Sequence, residues 1–146
     1  MKIPVIENES VNKNIGKLKV VVFSHGLGGT RFLYSCICCE LASRGYVVAA
    51  LEHRDDTASM TYYYQSKEKR RRNEPTWCKF RRVRVGGPEH FPERKKQVEI
   101  RSDECRRTLT LLEDLNRGVL VDNVLESDFD LQQFKVSHLN KNFLKL

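Results

Sequence analysis

The sequence predicts a single mixed α/β domain built around a strand–helix–strand unit. Two apolar segments, residues 17–24 and 46–53, are rich in β-branched residues and flank a segment with helical periodicity. A third segment, residues 97–117, has the spacing of an amphipathic helix. Consecutive strands that are joined through a helix are typical of α/β folds, and 146 residues are enough for one such domain.

The two strands are expected to pair in parallel. The first, residues 17–24, reads "KLKVVVFS", and the second begins with "YVVAA" at residue 46. Neither alternates between apolar and polar residues. Continuous apolar runs of this kind are typical of parallel strands that are buried on both faces.

The helix between them is expected over residues 31–44. Thr30 is suited to cap its beginning and Gly45 to end it. Its apolar residues recur at four-residue spacing: Leu33, Ile37 and Leu41.

After residue 56 the regular pattern is lost until the amphipathic helix. We therefore divide the single domain into a flexible N-terminal segment (1–17), a strand–helix–strand core (18–56), a basic insertion (57–96) and a helix with its connector (97–142). The insertion is expected to be irregular, since it contains scattered prolines and glycines. The helix is expected to place these residues on one face: Val98, Cys105, Leu109, Leu112 and Leu115.

The net charge of +7 is concentrated between Lys67 and Lys96. Such a run is usually a solvated face, and that is the first interpretation. The aromatic residues Trp77 and Phe80 lie among the basic ones, a mixture that anionic membranes and nucleic acids also attract. A non-catalytic basic module is thus the alternative function, with a membrane favoured over nucleic acid as its partner. The candidate contact residues are Lys69, Arg70, Arg71, Arg72, Arg81 and Arg82.

Several classes of protein are disfavoured. Five cysteines, an odd number without regular spacing, argue against a disulfide framework, and no pair of C-x-x-C motifs supports a zinc site. No apolar run approaches the roughly 20 residues of a membrane span. The N-terminus lacks the apolar core of a signal peptide, which favours a cytoplasmic location for the chain as written.

The stretch "VVVFSHGLGGTRFLYS" at residues 20–35 carries the chemistry. A dinucleotide-binding G-x-G-x-x-G would need glycine where Arg31 stands, and a phosphate-binding P-loop would need Gly-Lys-Ser/Thr. A glycine-rich turn that aims backbone N–H groups at a developing oxyanion fits the pattern best. The alternative is a tight turn whose glycines serve only close packing.

The wider sequence resembles the platelet-activating factor acetylhydrolase family. The strings "FSHGLGGTRFLYS" and "ELASRGYVVAALEHRDDTASMTYYY" carry the resemblance over residues 18–64, and "DECRRTLTLLEDLNRG" extends it more loosely over 97–140. The resemblance implies an α/β-hydrolase of the calcium-independent serine phospholipase A2 group. It would hydrolyse the sn-2 acetyl, short or oxidised acyl ester of phospholipids, with no metal or cofactor.

The resemblance also implies roles for particular residues. The backbone N–H of Leu27 would be one donor of the oxyanion hole, in a turn formed by His25, Gly26, Gly28 and Gly29. The string "EHRD" would form a polar cluster that supports this turn, with a possible ion pair between its first and third residues. The cluster comprises Glu52, His53, Arg54 and Asp55.

One part of the family pattern is missing. The nucleophile motif G-x-S-x-G, expected soon after residue 142, does not occur, and His138 precedes the place where a catalytic histidine belongs. The chain therefore looks like an incomplete member that ends before its nucleophile and is inactive alone. The expected partners are a phospholipid substrate and, peripherally, an anionic membrane or lipoprotein surface. The family has secreted as well as intracellular members.

Overall fold

The computed structural model describes residues 18–119 and 121. The N-terminal segment (1–17) and most of the connector after the last helix lie outside the described residues. Within them the order of elements is β1 (Lys19–Phe23), α1 (Ser35–Ser43), β2 (Tyr46–Ala50), β3 (Thr61–Tyr63), α2 (Lys67–Arg71), β4 (Thr76–Cys78) and α3 (His90–Asn116).

The expected strand–helix–strand unit is confirmed. Strands β1 and β2 pair in parallel, in a register that runs from Lys19 opposite Tyr46 to Phe23 opposite Ala50. Helix α1 connects them and packs on β2. The carboxyl ends of both strands therefore meet at one edge of the sheet, which is where α/β proteins place their sites.

The expectation that these strands are buried on both faces is wrong. Four of the five β1 residues are only half-buried, and Lys19 is exposed. Among the described residues β1 has β2 as its only strand neighbour, and helices cover this small sheet only in part. A continuous apolar run shows that a strand is suited to burial on both faces. Whether the strand is buried depends on the helices and strands that pack around it, and the run does not specify these.

Helix α1 is shorter than expected at its N-terminus. It begins at Ser35, after turns over residues 30–34, and Thr30 is not its cap. In these turns the Arg31 backbone N–H donates to the Glu52 carboxylate at 3.2 Å, and the Leu33 N–H donates to the Thr30 carbonyl at 3.1 Å. Gly45 does end the helix, in the left-handed conformation (φ +85°) that glycine adopts readily.

The segment 57–96 is not irregular. Strands β3 and β4 form an antiparallel pair with Thr61 opposite Cys78, and helix α2 lies between them. The Tyr62 and Trp77 rings lie 5.2 Å apart across the pair. Strands of three residues are too short to show a clear alternation, which is why the pattern did not reveal them.

Helix α3 begins at His90 and not at residue 97. Pro92 lies in its first turn, where the missing N–H has no partner to lose. The predicted apolar face holds only near the C-terminus: Leu112 and Leu115 are buried, but Val98 is 64% exposed. Within residues 18–119 no helix combines the length and apolar character needed to cross a membrane.

Candidate functional site

The glycine-rich turn follows β1 and is held by backbone hydrogen bonds. The Gly28 N–H donates to the Thr57 carbonyl at 2.9 Å, and the Gly29 N–H donates to the Gly26 carbonyl at 2.9 Å. Gly28 has φ +77°, in the region that favours glycine. A β-carbon at Gly29 would lie 3.0 Å from the Gly26 oxygen, closer than such atoms normally approach. The turn therefore needs glycine at both positions.

Leu27 occupies the outermost position of this turn. Its side chain is 59% exposed. Its backbone N–H has no acceptor among the described residues, whereas the N–H groups of the next two residues are both bonded. An unpaired backbone donor on a fixed turn is available to a ligand oxygen.

His25 is fully buried beneath the turn. Its Nδ1 lies 2.9 Å from the Gly26 carbonyl oxygen, so this nitrogen carries a proton. Its Nε2 lies 3.2 Å from the His53 backbone N–H and 3.0 Å from the Glu52 carboxylate. A neutral ring accepts the first of these, and a protonated ring would instead form an ion pair with Glu52.

Glu52 also ties the turn to the neighbouring strand. Its second carboxylate oxygen accepts from both the backbone and the guanidinium of Arg31, each at 3.2 Å. The same guanidinium donates to the Thr61 hydroxyl at 3.3 Å and to the Tyr62 carbonyl at 3.2 Å. Arg31 thus joins the end of the turn to β3.

A second line of hydrogen bonds joins Ser24, His53 and Glu104. The Ser24 hydroxyl lies 2.7 Å from His53 Nε2, and His53 Nδ1 lies 2.6 Å from a Glu104 carboxylate oxygen. The other oxygen of Glu104 accepts from the Arg54 backbone N–H at 3.1 Å. The end of β1, the end of β2 and helix α3 are therefore connected through one imidazole ring.

Arg101 is the other contact between α3 and the turn. Its guanidinium donates to the Asp55 carboxylate and to the His25 carbonyl, each at 2.6 Å, and also to the Thr57 hydroxyl. The Asp55 side chain is fully buried. Burial alone would raise the pKa of Asp55, but hydrogen bonds from Thr57 and Arg101, with the charge of Arg101, bring it below its usual value. The carboxylate is thus ionised and paired.

The structure brings three of the four "EHRD" side chains together below the turn and leaves one out. Arg54 is exposed, with its guanidinium 4.2 Å from the centre of the Tyr63 ring. The expected pair between Glu52 and Arg54 does not form: Glu52 pairs with Arg31 at 3.2 Å, and the Arg54 guanidinium lies over the Tyr63 ring.

The basic residues of 67–96 lie apart from this site. Around α2, the C-cap residue Arg72 pairs with Glu68 at 2.6 Å, and Lys69 donates to Gln65. Arg81 lies between two glutamates, at 3.5 Å from Glu89 and 3.0 Å from Glu93. Arg70, Arg71 and Arg82 are exposed.

The sequence reasoning missed Ser24, Arg101 and Glu104. A signal was available for the two helical residues, because Gln97, Arg101 and Glu104 recur at spacings of four and three. Such residues share one face of a helix. This polar stripe faces the strand ends, and Gln97 within it is buried and donates to the Asp55 carbonyl at 3.3 Å.

Metal binding has no support in the described part of the chain. No group of three or more His, Cys, Asp or Glu side chains there could hold a metal ion. The five cysteines are free. The main chemical feature of the site is the Leu27 backbone N–H, which has no acceptor among the described residues and lies on a turn held by hydrogen bonds.

The sequence was compared with those of known protein families and of individual proteins. The sequence model of the family described as "Platelet-activating factor acetylhydrolase, isoform II" matches residues 1–144. The chain belongs to the platelet-activating factor acetylhydrolase family. The resemblance seen in the strings around the turn is thereby confirmed.

Individual members of the acetylhydrolase family are similar over most of this chain. It is 41% identical over 137 residues to the platelet-activating factor acetylhydrolase of Cavia porcellus, a match covering 94% of this chain and 30% of that protein. It is 42% identical over 121 residues to that of Bos taurus, covering 83% of this chain and 27% of that protein. A putative phospholipase A2 of Schizosaccharomyces pombe is 49% identical over 59 residues, 40% of this chain and 14% of that protein. At the level of the family these names indicate lipid ester hydrolysis.

Proposed function

We propose that this chain supplies the oxyanion turn of an acetylhydrolase of the α/β-hydrolase type. The substrate class is a phospholipid with an acetyl, short or oxidised acyl group at the sn-2 position. The chain spans less than a third of the length of the acetylhydrolases that it matches. We therefore propose this activity for a whole enzyme that contains the segment, and not for the segment alone. The chain contains no G-x-S-x-G and is expected not to hydrolyse such phospholipids alone.

The unpaired N–H of Leu27 is the single observation that carries the proposal. When a serine attacks an ester carbonyl, negative charge develops on the carbonyl oxygen, and a donor fixed in advance stabilises that charge. Leu27 lies at the carboxyl edge of β1 and β2, on the turn that family resemblance assigns to this role. The second donor would be the N–H of the residue that follows the nucleophile.

The surrounding side chains support the proposal by fixing the turn. His25, Glu52 and Arg31 hold it toward β3, and Arg101 holds it toward α3. A donor that does not need to reorganise during the reaction contributes most to stabilising the transition state. In this proposal the buried polar network has the task of keeping Leu27 in place and takes no part in the acyl transfer itself.

A chimeric enzyme tests the proposal. The matched segment of the Cavia porcellus acetylhydrolase would be replaced by the corresponding residues of this chain, and hydrolysis of platelet-activating factor would be measured. We expect the chimera to remain active and the isolated 146-residue chain to be inactive toward this substrate. A folded chimera without activity would contradict the proposal.

Contact with an anionic lipid surface is a second candidate function, favoured by the exposure of Trp77 and Phe80. Their side chains are 58% and 44% exposed and lie beside the exposed basic residues Lys79 and Arg82. Tryptophan is typical of membrane interfaces, and basic residues near an anionic surface contribute about 1 kcal/mol each.

Vesicle sedimentation measures this contact. We expect the chain to bind vesicles containing phosphatidylserine, with binding weakened by salt, and the Trp77→Ala variant to bind several-fold less tightly. Val119→Ala serves as the control, since that apolar residue is also exposed but lies outside the basic segment. Preferential binding to RNA would instead support the nucleic-acid alternative. If Trp77→Ala and Val119→Ala bound the vesicles equally well, Trp77 would not be part of the membrane contact.

A further inference from the structure

The line Ser24–His53–Glu104 has the arrangement of a nucleophile, a base and an orienting acid. The Ser24–His53 contact measures 2.7 Å, and the His53–Glu104 contact, at 2.6 Å, is slightly shorter than an ordinary N–H···O bond. A serine within reach of a histidine that a carboxylate orients is the general signature of an activated nucleophile. The role proposed above for the turn does not use these three side chains.

The positions of the protons follow from the acceptors. One oxygen of Glu104 accepts from the Arg54 backbone N–H, and the other lies 2.6 Å from His53 Nδ1; a carboxylate offers only acceptors. The His53 nitrogen that faces this carboxylate, Nδ1, therefore carries a proton, and in the neutral ring Nε2 keeps its lone pair. The Ser24 hydroxyl must then donate to Nε2. This is the direction in which a general base removes a proton from serine.

His53 and Ser24 differ in their exposure to solvent. The His53 side chain has no exposed surface, whereas Ser24 is exposed at the end of β1. The base is thus shielded from water, and the hydroxyl can be reached by a reagent. Leu27, with its unpaired N–H, lies three residues further along the same turn.

We propose that Ser24 is itself a reactive nucleophile, activated by His53 and Glu104, toward activated esters of short carboxylic acids and toward phosphonyl fluorides. In the reaction with an ester, Ser24 Oγ bonds to the carbonyl carbon while its proton passes to His53 Nε2. The carbon–oxygen bond to the alcohol then breaks, and the alcohol leaves with that proton. Water, deprotonated by His53, releases the acid and restores the hydroxyl.

The step with a phosphonyl fluoride is simpler and can be observed directly. A bond forms between Ser24 Oγ and phosphorus, the phosphorus–fluorine bond breaks, and the serine proton leaves with fluoride through His53. The product is a stable phosphonyl serine. This proposal does not depend on the acetylhydrolase function, because it concerns a different nucleophile and can be tested on the 146-residue chain.

Mass spectrometry of the labelled chain is the first test. The folded chain would be treated with an alkyl fluorophosphonate, digested and mapped. We expect one label, on Ser24, absent from the Ser24→Ala variant and retained in Ser43→Ala. Ser43 is a matched control, since its hydroxyl donates to the Glu40 carbonyl and meets no base. An unlabelled Ser24 in the folded chain would overturn the proposal.

The Glu104→Gln variant tests the mechanism. The new amide keeps its oxygen for the Arg54 N–H and turns its NH₂ toward His53 Nδ1, so the ring proton moves to Nε2. That tautomer cannot accept the serine proton, and the labelling rate should fall by a factor on the order of 10³–10⁴. Glu99→Gln, an exposed position on the same helix, should change nothing.

A spectroscopic measurement separates the mechanism from simple loss of structure. Imidazole ¹⁵N shifts report which nitrogen of His53 carries the proton. We expect Nδ1–H in the original chain and Nε2–H in Glu104→Gln, with unchanged backbone amide spectra in the rest of the described region. Equal labelling rates in Glu104→Gln and the original chain, with the tautomer inverted, would show that Glu104 and His53 do not activate Ser24.

Discussion

We expect the Arg101→Leu variant to lose about 3–5 kcal/mol of unfolding free energy. Arg101 is the cationic partner of the buried Asp55 carboxylate and donates to the carbonyl of His25 as well. Removing it leaves a buried carboxylate that only Thr57 still contacts, and an uncompensated buried charge is among the costliest defects in a protein. Since a domain of this size is stable by about 5–15 kcal/mol in total, the loss should be plain in a urea unfolding curve of the 146-residue chain.

Arg107→Leu is the matched control for this experiment. Arg107 lies on the same helix and pairs with Asp103 at 2.7 Å, but the two side chains are 79% and 42% exposed. An exposed pair contributes about 0–1 kcal/mol, so this variant should stay close to the original chain. Equal losses in the two variants would mean that Arg101 acts only through the stability of the helix.

The second large effect is expected from Leu27→Pro in the chimeric acetylhydrolase. Proline removes the backbone N–H, which has no acceptor among the described residues, and fixes φ of residue 27 at about −65°. Loss of one oxyanion donor lowers kcat by about 10²–10³-fold, or about 2.7–4 kcal/mol of transition-state stabilisation. Hydrolysis of platelet-activating factor under saturating substrate measures it.

Leu27→Ala separates the backbone from the side chain. This variant keeps the N–H and shortens a side chain that is 59% exposed, so we expect kcat to remain within a few-fold of the unsubstituted chimera. Thermal unfolding of both variants checks that the fold is kept, since neither loses a hydrogen bond that the described residues make in the turn. If Leu27→Ala were as slow as Leu27→Pro, the side chain and not the N–H would matter.

Much of the fold was predictable because local chemistry determines it. The runs around Val21 and Val48 can only be strands, and Gly45 and Gly118 end their helices in the left-handed conformation that glycine favours. The β3–β4 pair was not predictable, because three-residue strands carry too little pattern. The early start of α3 was hidden by Pro92, which disrupts helices everywhere except in their first turn.

The candidate site was predictable only in its backbone. The string "HGLGG" indicated the turn, since glycines clustered directly after a strand are typical of a backbone that must turn sharply. The side chains that hold the turn come from distant parts of the sequence, and their partners depend on how α3 lies against the strand ends. Arg101 meets His25 across 76 positions of the chain, a pairing that no local pattern contains.

The attachments of the turn have a consequence for how this region can diverge between relatives. Every side chain that holds the turn comes from residues 24–61 or from 97–104. Of the intervening residues 64–96, Arg94 joins the network through its side chain, which donates to Gln97 at 2.7 Å, and Arg81 joins it through its backbone N–H, which donates to the Asp56 carbonyl at 2.8 Å. Main-chain bonds do not depend on which side chain is present. Outside Arg94, substitutions in this segment can therefore accumulate, and change the surface that the protein exposes, without disturbing the geometry of the turn.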